Sequence, residues 1–224
     1  MLELDKIMFK NILDLSQTLS SDLFEKFVYP WEVLNNLEEY ILNLGSKLPK
    51  NKYQKINENV WIAYNSEVNK NSEILGPSII DEYAKIKYGA YIRGSVIIGK
   101  KVIVGTSSEL KKCILFNKTK VPHFNYVGDS ILGYKSHLGA GAIISNVRSD
   151  KKNIKIKIGS ELIETGVKKL GGILGDNVEI GCNAVVNPGS IVGRGSIIYP
   201  LTMVRGFVPE AHILKNNGDL IKII

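Results

Sequence analysis

An aliphatic residue recurs every six positions along most of this chain, and this spacing limits the fold more than any other feature. The period is unbroken at Ile56, Ile62, Val68, Ile74, Ile80, Ile86, Ile92, Ile98, Val104 and Leu110. It resumes at Leu174, Ile180, Val186, Val192, Ile198 and Val204. A helix repeats every 3.6 residues and a strand every two, so neither accounts for a period of six. A hexapeptide repeat instead predicts a β-helix, in which short strands form three faces and one circuit of the faces is a coil.

A smaller or β-branched residue follows most of these aliphatic residues by four positions, as at Ser66, Ser72, Ala84 and Ala90. We expect the aliphatic side chain to point into a triangular prism and the smaller one to lie near a corner. Stacked coils then bury a continuous ladder of Ile and Val and join through backbone hydrogen bonds. The sequence therefore predicts an all-β protein with a parallel β-helix over residues 51–224.

The first 50 residues follow a helical pattern instead. Leu34, Leu37 and Ile41 fall at spacings of three and four, which is typical of a helix face. Pro30 suits a first helical turn and Gly45 the residue after a helix end. The sequence predicts a short N-terminal helical segment, which we expect to cap one end of the solenoid.

The six-residue period is disturbed in two places. Between Leu110 and Ile144, two steps are five residues long, and they bracket the hexad VPHFNY, which contains His123. From about 147 to 172 the ladder is lost, and the sequence predicts an extended, hairpin-like loop that leaves the prism. The tail after Val204 is expected to cap the other end. Loops that project from solenoid coils often build binding surfaces.

The composition limits the classes of ligand and partner that the chain is expected to bind. The net charge of +7 favours anionic ligands, but the lysines are scattered, so a nucleic-acid partner has little support. No apolar run approaches the ~18 residues of a membrane span, and the N-terminus is acidic where a signal peptide is basic. We expect a cytoplasmic protein without a membrane partner. Cys113 and Cys182 lack Cys/His metal spacing, which predicts reduced thiols and no metal.

The hexad register places two cations in one slot. Arg93 follows Ile92 and Lys111 follows Leu110, so they are one coil apart, about 4.8 Å. Stacked cations repel each other, and a phosphate between them would reverse that cost. The alternative is that both side chains point into solvent.

A histidine and a run of small residues also share a slot. His123 and Ala140 are third in their hexads, one coil apart, and Gly139 and Gly141 flank Ala140. Minimal side chains leave backbone N–H groups open to a ligand. Acyl transfer to an amine needs a base for the amine proton and donors for the oxyanion. The alternative is a structural or merely exposed histidine.

The stretches KVPHFNYVGDS and LGAGAIISNVRSD closely resemble the acetyltransferase domain of bifunctional hexosamine-1-phosphate acetyltransferase/nucleotidylyltransferases, from about Ile80 onward. The resemblance implies a left-handed β-helix, acetyl-CoA as co-substrate, a hexosamine 1-phosphate acceptor and a homotrimer with sites completed between subunits. No GxGxRxxP-type loop opening a βαβ unit is found, so nucleotidyl transfer is not expected. We expect a free-standing acetyltransferase domain, with a separate nucleotidyltransferase as a functional partner in sugar-nucleotide biosynthesis.

The resemblance also implies a role for individual residues. The catalytic positions are His123 as general base and Asn146; the sugar-phosphate positions are Arg93, Lys111, Tyr126, His137 and Lys152; and the coenzyme positions are Ala140, Cys182 and Arg205. Arg194 is a further basic residue available to the coenzyme phosphates.

Two of these positions depart from the family pattern. His137 stands where an asparagine is usual, and Cys182 where the bacterial enzyme has a serine. Lys151 or Lys155 could take the place of Lys152.

Other functions fit parts of the same pattern. The acyl acceptor could be another amino sugar or a sugar nucleotide. A different class of function is a noncatalytic trimeric scaffold or regulatory partner of a nucleotidyltransferase. A γ-carbonic-anhydrase-like role is disfavoured, because His123, His137 and His212 are the chain's only histidines and their separation does not suggest a three-ligand zinc site.

Overall fold

In a computed structural model, which describes residues 3–223, the chain forms the expected left-handed parallel β-helix with a short helical segment before it. Met1, Leu2 and Ile224, at the ends of the two predicted ranges, lie outside the described residues. The prediction of fold class is confirmed. No helix among residues 3–223 is long and apolar enough to cross a membrane.

The helical segment consists of short pieces. The 3₁₀ helices span Glu3–Ile7, Leu15–Gln17 and Pro30–Asn36, and the α-helices are α1 (Phe9–Ile12), α2 (Ser21–Phe24) and α3 (Leu37–Lys47).

The strands are short and numerous. They are β1 (Tyr53–Asn57), β2 (Val60–Ala63), β3 (Glu67–Val68), β4 (Glu73–Ile74), β5 (Ser78–Ile80), β6 (Lys85–Ile86), β7 (Tyr91–Ile92), β8 (Val96–Ile98), β9 (Ile103–Thr106), β10 (Glu109–Leu115), β11 (Lys120–His123), β12 (Tyr126–Leu132), β13 (His137–Leu138), β14 (Ile143–Ile144), β15 (Lys155–Ile158), β16 (Glu161–Glu164), β17 (Gly172–Leu174), β18 (Glu179–Ile180), β19 (Val185–Val186), β20 (Ser190–Val192), β21 (Ile197–Ile198), β22 (Met203–Val204), β23 (Phe207–Val208), β24 (His212–Leu214) and β25 (Leu220–Lys222).

Parallel pairing between successive coils builds three faces. Face A contains β2, β5, β8, β17, β20 and β23; face B contains β3, β6, β9, β11, β13, β18, β21 and β24; face C contains β4, β7, β14, β19 and β22. The long strands β10 and β12 begin on face C and end on face A. Each runs through a corner at a residue with φ of +47°, Lys112 in β10 and Asp129 in β12. These two corners are the five-residue steps in the period.

The predicted aliphatic ladder fills the prism from Ile62 to Val204, except at Val68, which is 38% exposed. Through the irregular region the inward residues Leu115, Val121 and Leu138 are completely buried. The prediction is wrong at Ile56, which is 44% exposed, because β1 runs antiparallel to β2 outside the prism. The ladder therefore begins with the next aliphatic residue, in β2.

The helical segment does not cap an end of the prism but covers face A along its length. The outward residues of this face are also apolar, and they pack against the buried side of the helical segment. They are Trp61, Ile79, Ile97, Ile114, Ile131, Ile173 and Ile191. A sheet buried on both sides reads as a continuous apolar run, which explains pairs such as Ile79–Ile80 and Ile97–Ile98.

Gly45 is another correction, because it lies inside α3 and not after it. A Cβ added at Gly45 would come within 2.5 Å of the Trp61 ring, so glycine lets the helix approach face A closely. The helix instead ends at Lys47, and Leu48 has extended backbone angles. Pro30 does occupy a first helical turn, as predicted.

The region from 147 to 172 contains the expected hairpin, with β15 and β16 antiparallel. The hairpin leaves the prism as predicted, and it folds back over face A, where its alternating side chains Ile154, Ile156 and Ile158 are completely buried. At the C-terminal end of the prism, β25 folds back antiparallel onto β24.

Candidate functional site

Face C carries the two predicted cations in the expected register. Ile92 pairs with Leu110, and the Arg93 N–H donates to the Leu110 carbonyl at 2.8 Å, so Arg93 and Lys111 occupy one slot in successive coils. Each cation has a carboxylate neighbour. Arg93 Nη1 lies 2.7 Å from Glu109 Oε1, and Lys111 Nζ lies 4.0 Å from Asp129 Oδ2. The carboxylates relieve the repulsion between the cations, so a phosphate is not required to balance them.

Glu109 lies in a row of outward residues between Tyr91 and Tyr126. Its hydrogen bond to the Arg93 guanidinium raises the pKa of Arg93 further, so the guanidinium is permanently charged. Both side chains are exposed enough for water to compete, and exposed ion pairs contribute little to stability. A stronger anion can therefore replace Glu109 at Arg93.

Tyr126, Asn146 and Asp129 form a hydrogen-bonded chain beside the cations. The Tyr126 hydroxyl donates to Asn146 Oδ1 at 3.4 Å, and Asn146 Nδ2 donates to Asp129 Oδ2. The two polar groups close over Gly128, where a Cβ would lie 2.6 Å from the Tyr126 hydroxyl. Burial, followed by the charges of Glu109 and Asp129, raises the pKa of Tyr126. Its hydroxyl therefore stays protonated at neutral pH and can act as a donor.

His123 is the last residue of β11, at the corner between faces B and C, and its side chain is exposed. The side chain of Asn125 holds this corner through hydrogen bonds to the backbone. Asn125 Oδ1 accepts the His123 N–H at 3.0 Å, and its amide donates to the Gly139 and Ala142 carbonyls at 2.8 and 3.1 Å. The imidazole thus projects from a corner that is tied to the next coil. It does not pack inside the prism.

The next coils place Ala140 and Cys182 in the same corner row as His123. The Gly141 N–H donates to the His123 carbonyl at 3.0 Å, and Leu138 pairs with Ile180. Within residues 3–223, no acceptor is found for the N–H of the half-buried Ala140. This row therefore offers an exposed imidazole and an open backbone donor one coil apart.

Other predicted residues lie apart from this arrangement. His137 Nδ1 is 2.7 Å from Glu179 Oε2 on face B. Lys152 is exposed, and its backbone N–H donates to Asp150, whose carboxylate is held by Arg148. That contact with Arg148 lowers the pKa of Asp150 well below its usual range. Nothing in the described part of the chain links the Lys152 ammonium to the Tyr126 hydroxyl.

The two arginines predicted for the coenzyme phosphates are also distant. Arg205 is exposed and shares the row of Lys111, but four coils further on, about 19 Å at the usual strand spacing. Arg194 lies at a different edge, between faces A and B, with Nη2 3.4 Å from Asp176 Oδ2. The position of Arg194 therefore separates it from the His123 edge.

Sequence reasoning missed Glu109 and Asp129. Glu109 could have been found, because it precedes an inward leucine in the row that contains Tyr126. The burial of Asp129, which is 2% exposed, could not be predicted. It depends on β12 continuing without a break from face C to face A. The sequence records that path only as a five-residue step.

Two cavities, of about 590 and 400 Å³, lie elsewhere, between the helical segment and the last coils. Both are lined by Lys10 and Arg194, and carboxylates of Asp14, Asp176 and Glu210 line one or the other. None of the residues at the His123 edge lines them. In residues 3–223, no group of three or more His, Cys, Asp or Glu side chains is arranged to hold a metal ion.

A prism built from hexapeptide repeats, three to a coil, defines a class, the hexapeptide-repeat β-helix proteins. More particularly, the chain belongs to the family of the GMPPB C-terminal domain, whose model matches residues 74–209.

Two curated relatives agree with the resemblance found in the sequence. A bifunctional sugar-1-phosphate nucleotidylyltransferase/acetyltransferase of Sulfurisphaera tokodaii is 34% identical over 203 residues, which cover 80% of this chain and 49% of that protein. The bifunctional protein GlmU of Methanococcus maripaludis is 34% identical over 199 residues, covering 86% and 47%. The chain spans about half the length of these relatives. The predicted resemblance to bifunctional nucleotidylyltransferase/acetyltransferases is confirmed.

Solved structures give weaker matches. WeeI from Acinetobacter baumannii has a TM-score of 0.39 at 17% identity, covering 69% of this chain and 57% of that one. An N-acyltransferase, AntD from Bacillus cereus, in complex with dTDP and coenzyme A, has a TM-score of 0.32 at 19% identity, covering 74% and 82%. Similarities at this level carry no information about the site.

Proposed function

We propose that this chain is an acetyl-CoA-dependent N-acetyltransferase whose acceptor is a hexosamine 1-phosphate. One observation carries the proposal: an exposed His123 shares a corner row with the open N–H of Ala140, next to the face that holds Arg93, Lys111 and Tyr126. The names of the curated relatives include sugar-1-phosphate and acetyltransferase activities. The cytoplasmic location expected from the sequence is part of the same proposal.

The acceptor is anchored through its phosphate in this scheme. Arg93 exchanges Glu109 for the phosphate, which carries more charge and offers acceptors in a geometry that matches a guanidinium. Lys111 adds a second cation one coil away, and the protonated hydroxyl of Tyr126 adds a donor. Asn146 orients the sugar beside them. His137 and Lys152 are secondary sugar contacts in this proposal, and both must reach the acceptor by side-chain movement.

The chemical step joins the acceptor amine to the acetyl group. His123 accepts a proton as the amine nitrogen attacks the thioester carbonyl carbon, and the N–H of Ala140 stabilises the oxyanion. The C–N bond forms, the C–S bond breaks, and the imidazolium returns its proton to the departing thiolate. Cys182 continues the corner row along the path of the coenzyme, and Arg205 is far enough along the prism to meet its phosphates.

We further propose a homotrimer that completes each site between subunits. Large apolar side chains stay exposed around the edge between faces B and C. Phe124 is 62% exposed, Leu201 71% and Met203 62%. Exposed apolar patches of this kind mark interaction surfaces. Light scattering of the purified chain tests the trimer, and a monomer at micromolar concentration contradicts it.

A thiol-release assay tests the activity with acetyl-CoA and a set of acceptors. The set comprises glucosamine 1-phosphate, galactosamine 1-phosphate, the unphosphorylated amino sugars and UDP-linked amino sugars. We expect turnover only with the two 1-phosphates. We expect His123→Ala to lower kcat by about 10²- to 10⁴-fold, the usual range for loss of a general base. Thr106, which occupies the same row one coil earlier, provides the matched control Thr106→Ala.

Each contrary outcome identifies a different error. Turnover confined to UDP-linked sugars would show that the acceptor is a sugar nucleotide and not a hexosamine 1-phosphate. Full activity of His123→Ala would show that His123 is not the general base. A trimer that binds no coenzyme A by calorimetry points to a noncatalytic partner of a separate nucleotidyltransferase.

A further inference from the structure

We propose that Asp129 is a positioning residue of the acceptor subsite, which fixes the Asn146 amide and restrains Lys111. This inference rests on the proposed function, because the subsite is the one assigned to the sugar phosphate. Asp129 itself is buried beneath the subsite and does not touch the acceptor.

The backbone favours an aspartate at this corner but does not require one. Asp129 has a φ of +47°, a conformation that side chains other than glycine rarely adopt. Lys112 occupies the equivalent corner one coil earlier with the same φ of +47°. The fold therefore accepts a different residue type in this conformation, and the carboxylate of Asp129 needs another explanation.

The contacts of the carboxylate supply that explanation. Asp129 is 2% exposed, and its Oδ2 accepts from Asn146 Nδ2 and lies 4.0 Å from Lys111 Nζ. A buried carboxylate is stable only when it is paired and hydrogen-bonded. These two site residues are the partners that meet this requirement on Oδ2.

The Asp129 side chain also decides which way the neighbouring amide points. A carboxylate only accepts hydrogen bonds, so the Asn146 amide must turn its NH₂ group towards Asp129. Its oxygen then faces the Tyr126 hydroxyl, 3.4 Å away. With Asp129 removed, the amide can rotate by 180° and present a donor where Tyr126 now meets an acceptor. Asp129 thus sets the polarity of the chain from Asn146 to Tyr126.

Kinetics separate a positioning role from a structural one. Asp129→Asn can still offer an acceptor oxygen to the Asn146 amide but no longer excludes the rotated amide, so we expect a kcat between those of wild type and Asp129→Ala. Asp129→Ala removes the acceptor, and we expect kcat to fall about 10- to 100-fold, with the KM for acetyl-CoA changed less than twofold. Lys112→Ala is the matched control, since it alters the equivalent corner without touching the subsite, and we expect wild-type kinetics.

A second measurement does not depend on activity. The charge of Asp129 contributes to the raised pKa of Tyr126. Asp129→Asn should therefore lower the pKa of Tyr126, followed by NMR of tyrosine labelled at Cζ and assigned with Tyr126→Phe. If no acceptor is turned over by the wild type, the proposed function fails while this titration still tests the coupling.

Three results overturn the inference. One is an Asp129→Ala protein with wild-type kcat. Another is a Lys112→Ala protein that loses as much activity as Asp129→Ala, which points to general damage at the corner. The third is a Tyr126 titration that is the same in wild type and Asp129→Asn.

Discussion

Gly45 of α3 lies directly against the indole ring of Trp61 on face A. Replacing a helical glycine with alanine usually stabilises a helix by about 1 kcal/mol. Here the added Cβ would enter the ring, and overpacking costs about 1–3 kcal/mol. We therefore expect Gly45→Ala to lower the free energy of unfolding, measured by urea denaturation. Ser46→Ala, at the adjacent exposed position, is the control and should be neutral. A Gly45→Ala protein more stable than wild type would show that the helix is free to move away from the face.

A second prediction follows from the burial of face A on both its inner and its outer side. Ile97 points away from the prism but is completely buried under the helical segment. Ile97→Ala should cost about 2–5 kcal/mol, as for any core cavity. Ile103, an outward residue of the uncovered face B, is only half-buried, so Ile103→Ala should cost clearly less. Equal losses in urea denaturation would contradict the packing of the helical segment on face A.

A buried carboxyl predicts how stability changes with pH. Asp81 is completely buried, accepts from the Tyr53 hydroxyl at 2.5 Å, and has no partner for Oδ2 among the described residues. Burial raises the pKa of Asp81 above its usual value. Since the folded state holds this proton more tightly, the contribution of Asp81 to stability is full at acidic pH and is lost as pH rises through the raised pKa.

Melting temperatures of wild type and Asp81→Asn across this range measure the effect. The difference between them should shift in favour of the variant as pH rises from about 4 to 8. Glu161→Gln, at an exposed position of the hairpin, is the control and should show a constant difference. A constant difference for Asp81→Asn as well would mean that the carboxyl ionises normally.

The proposed phosphate anchor can be tested at Arg93. Arg93→Gln should raise the KM for the 1-phosphate acceptor by tenfold or more, because a charged donor to the phosphate is lost. The KM for acetyl-CoA should stay the same. Lys85→Gln is a matched control, since Lys85 is also an exposed cation in an ion pair, with Glu67 on face B. Equal changes in the KM values for the acceptor and for acetyl-CoA would contradict the assignment of Arg93 to the acceptor subsite.

The prism could be predicted in detail because its core repeats. One inward side chain per strand sets the register, so the stacking of Arg93 on Lys111 follows from counting residues. The same counting brings His123 and Ala140 into one row. These statements concern backbone order, which the period alone determines.

What lies outside the prism could not be predicted by counting. The helical segment has an apolar stripe, which packs on the outward apolar residues of face A. These residues occur once per coil, so they can be recognised in the sequence only by comparing every third hexad. Likewise, charged side chains choose partners by distance in space. The register places Arg93 beside Lys111, yet it does not reveal that Glu109 and Asp129 lie against them.

The helices and the hairpin along face A also determine where the molecule can be altered. They occupy the side of the prism farthest from the corner that bears His123. A fluorescent label, an inserted loop or a fused domain placed on that outer layer would face away from the imidazole. The architecture thus keeps one flank available for attachments and leaves the opposite edge uncovered.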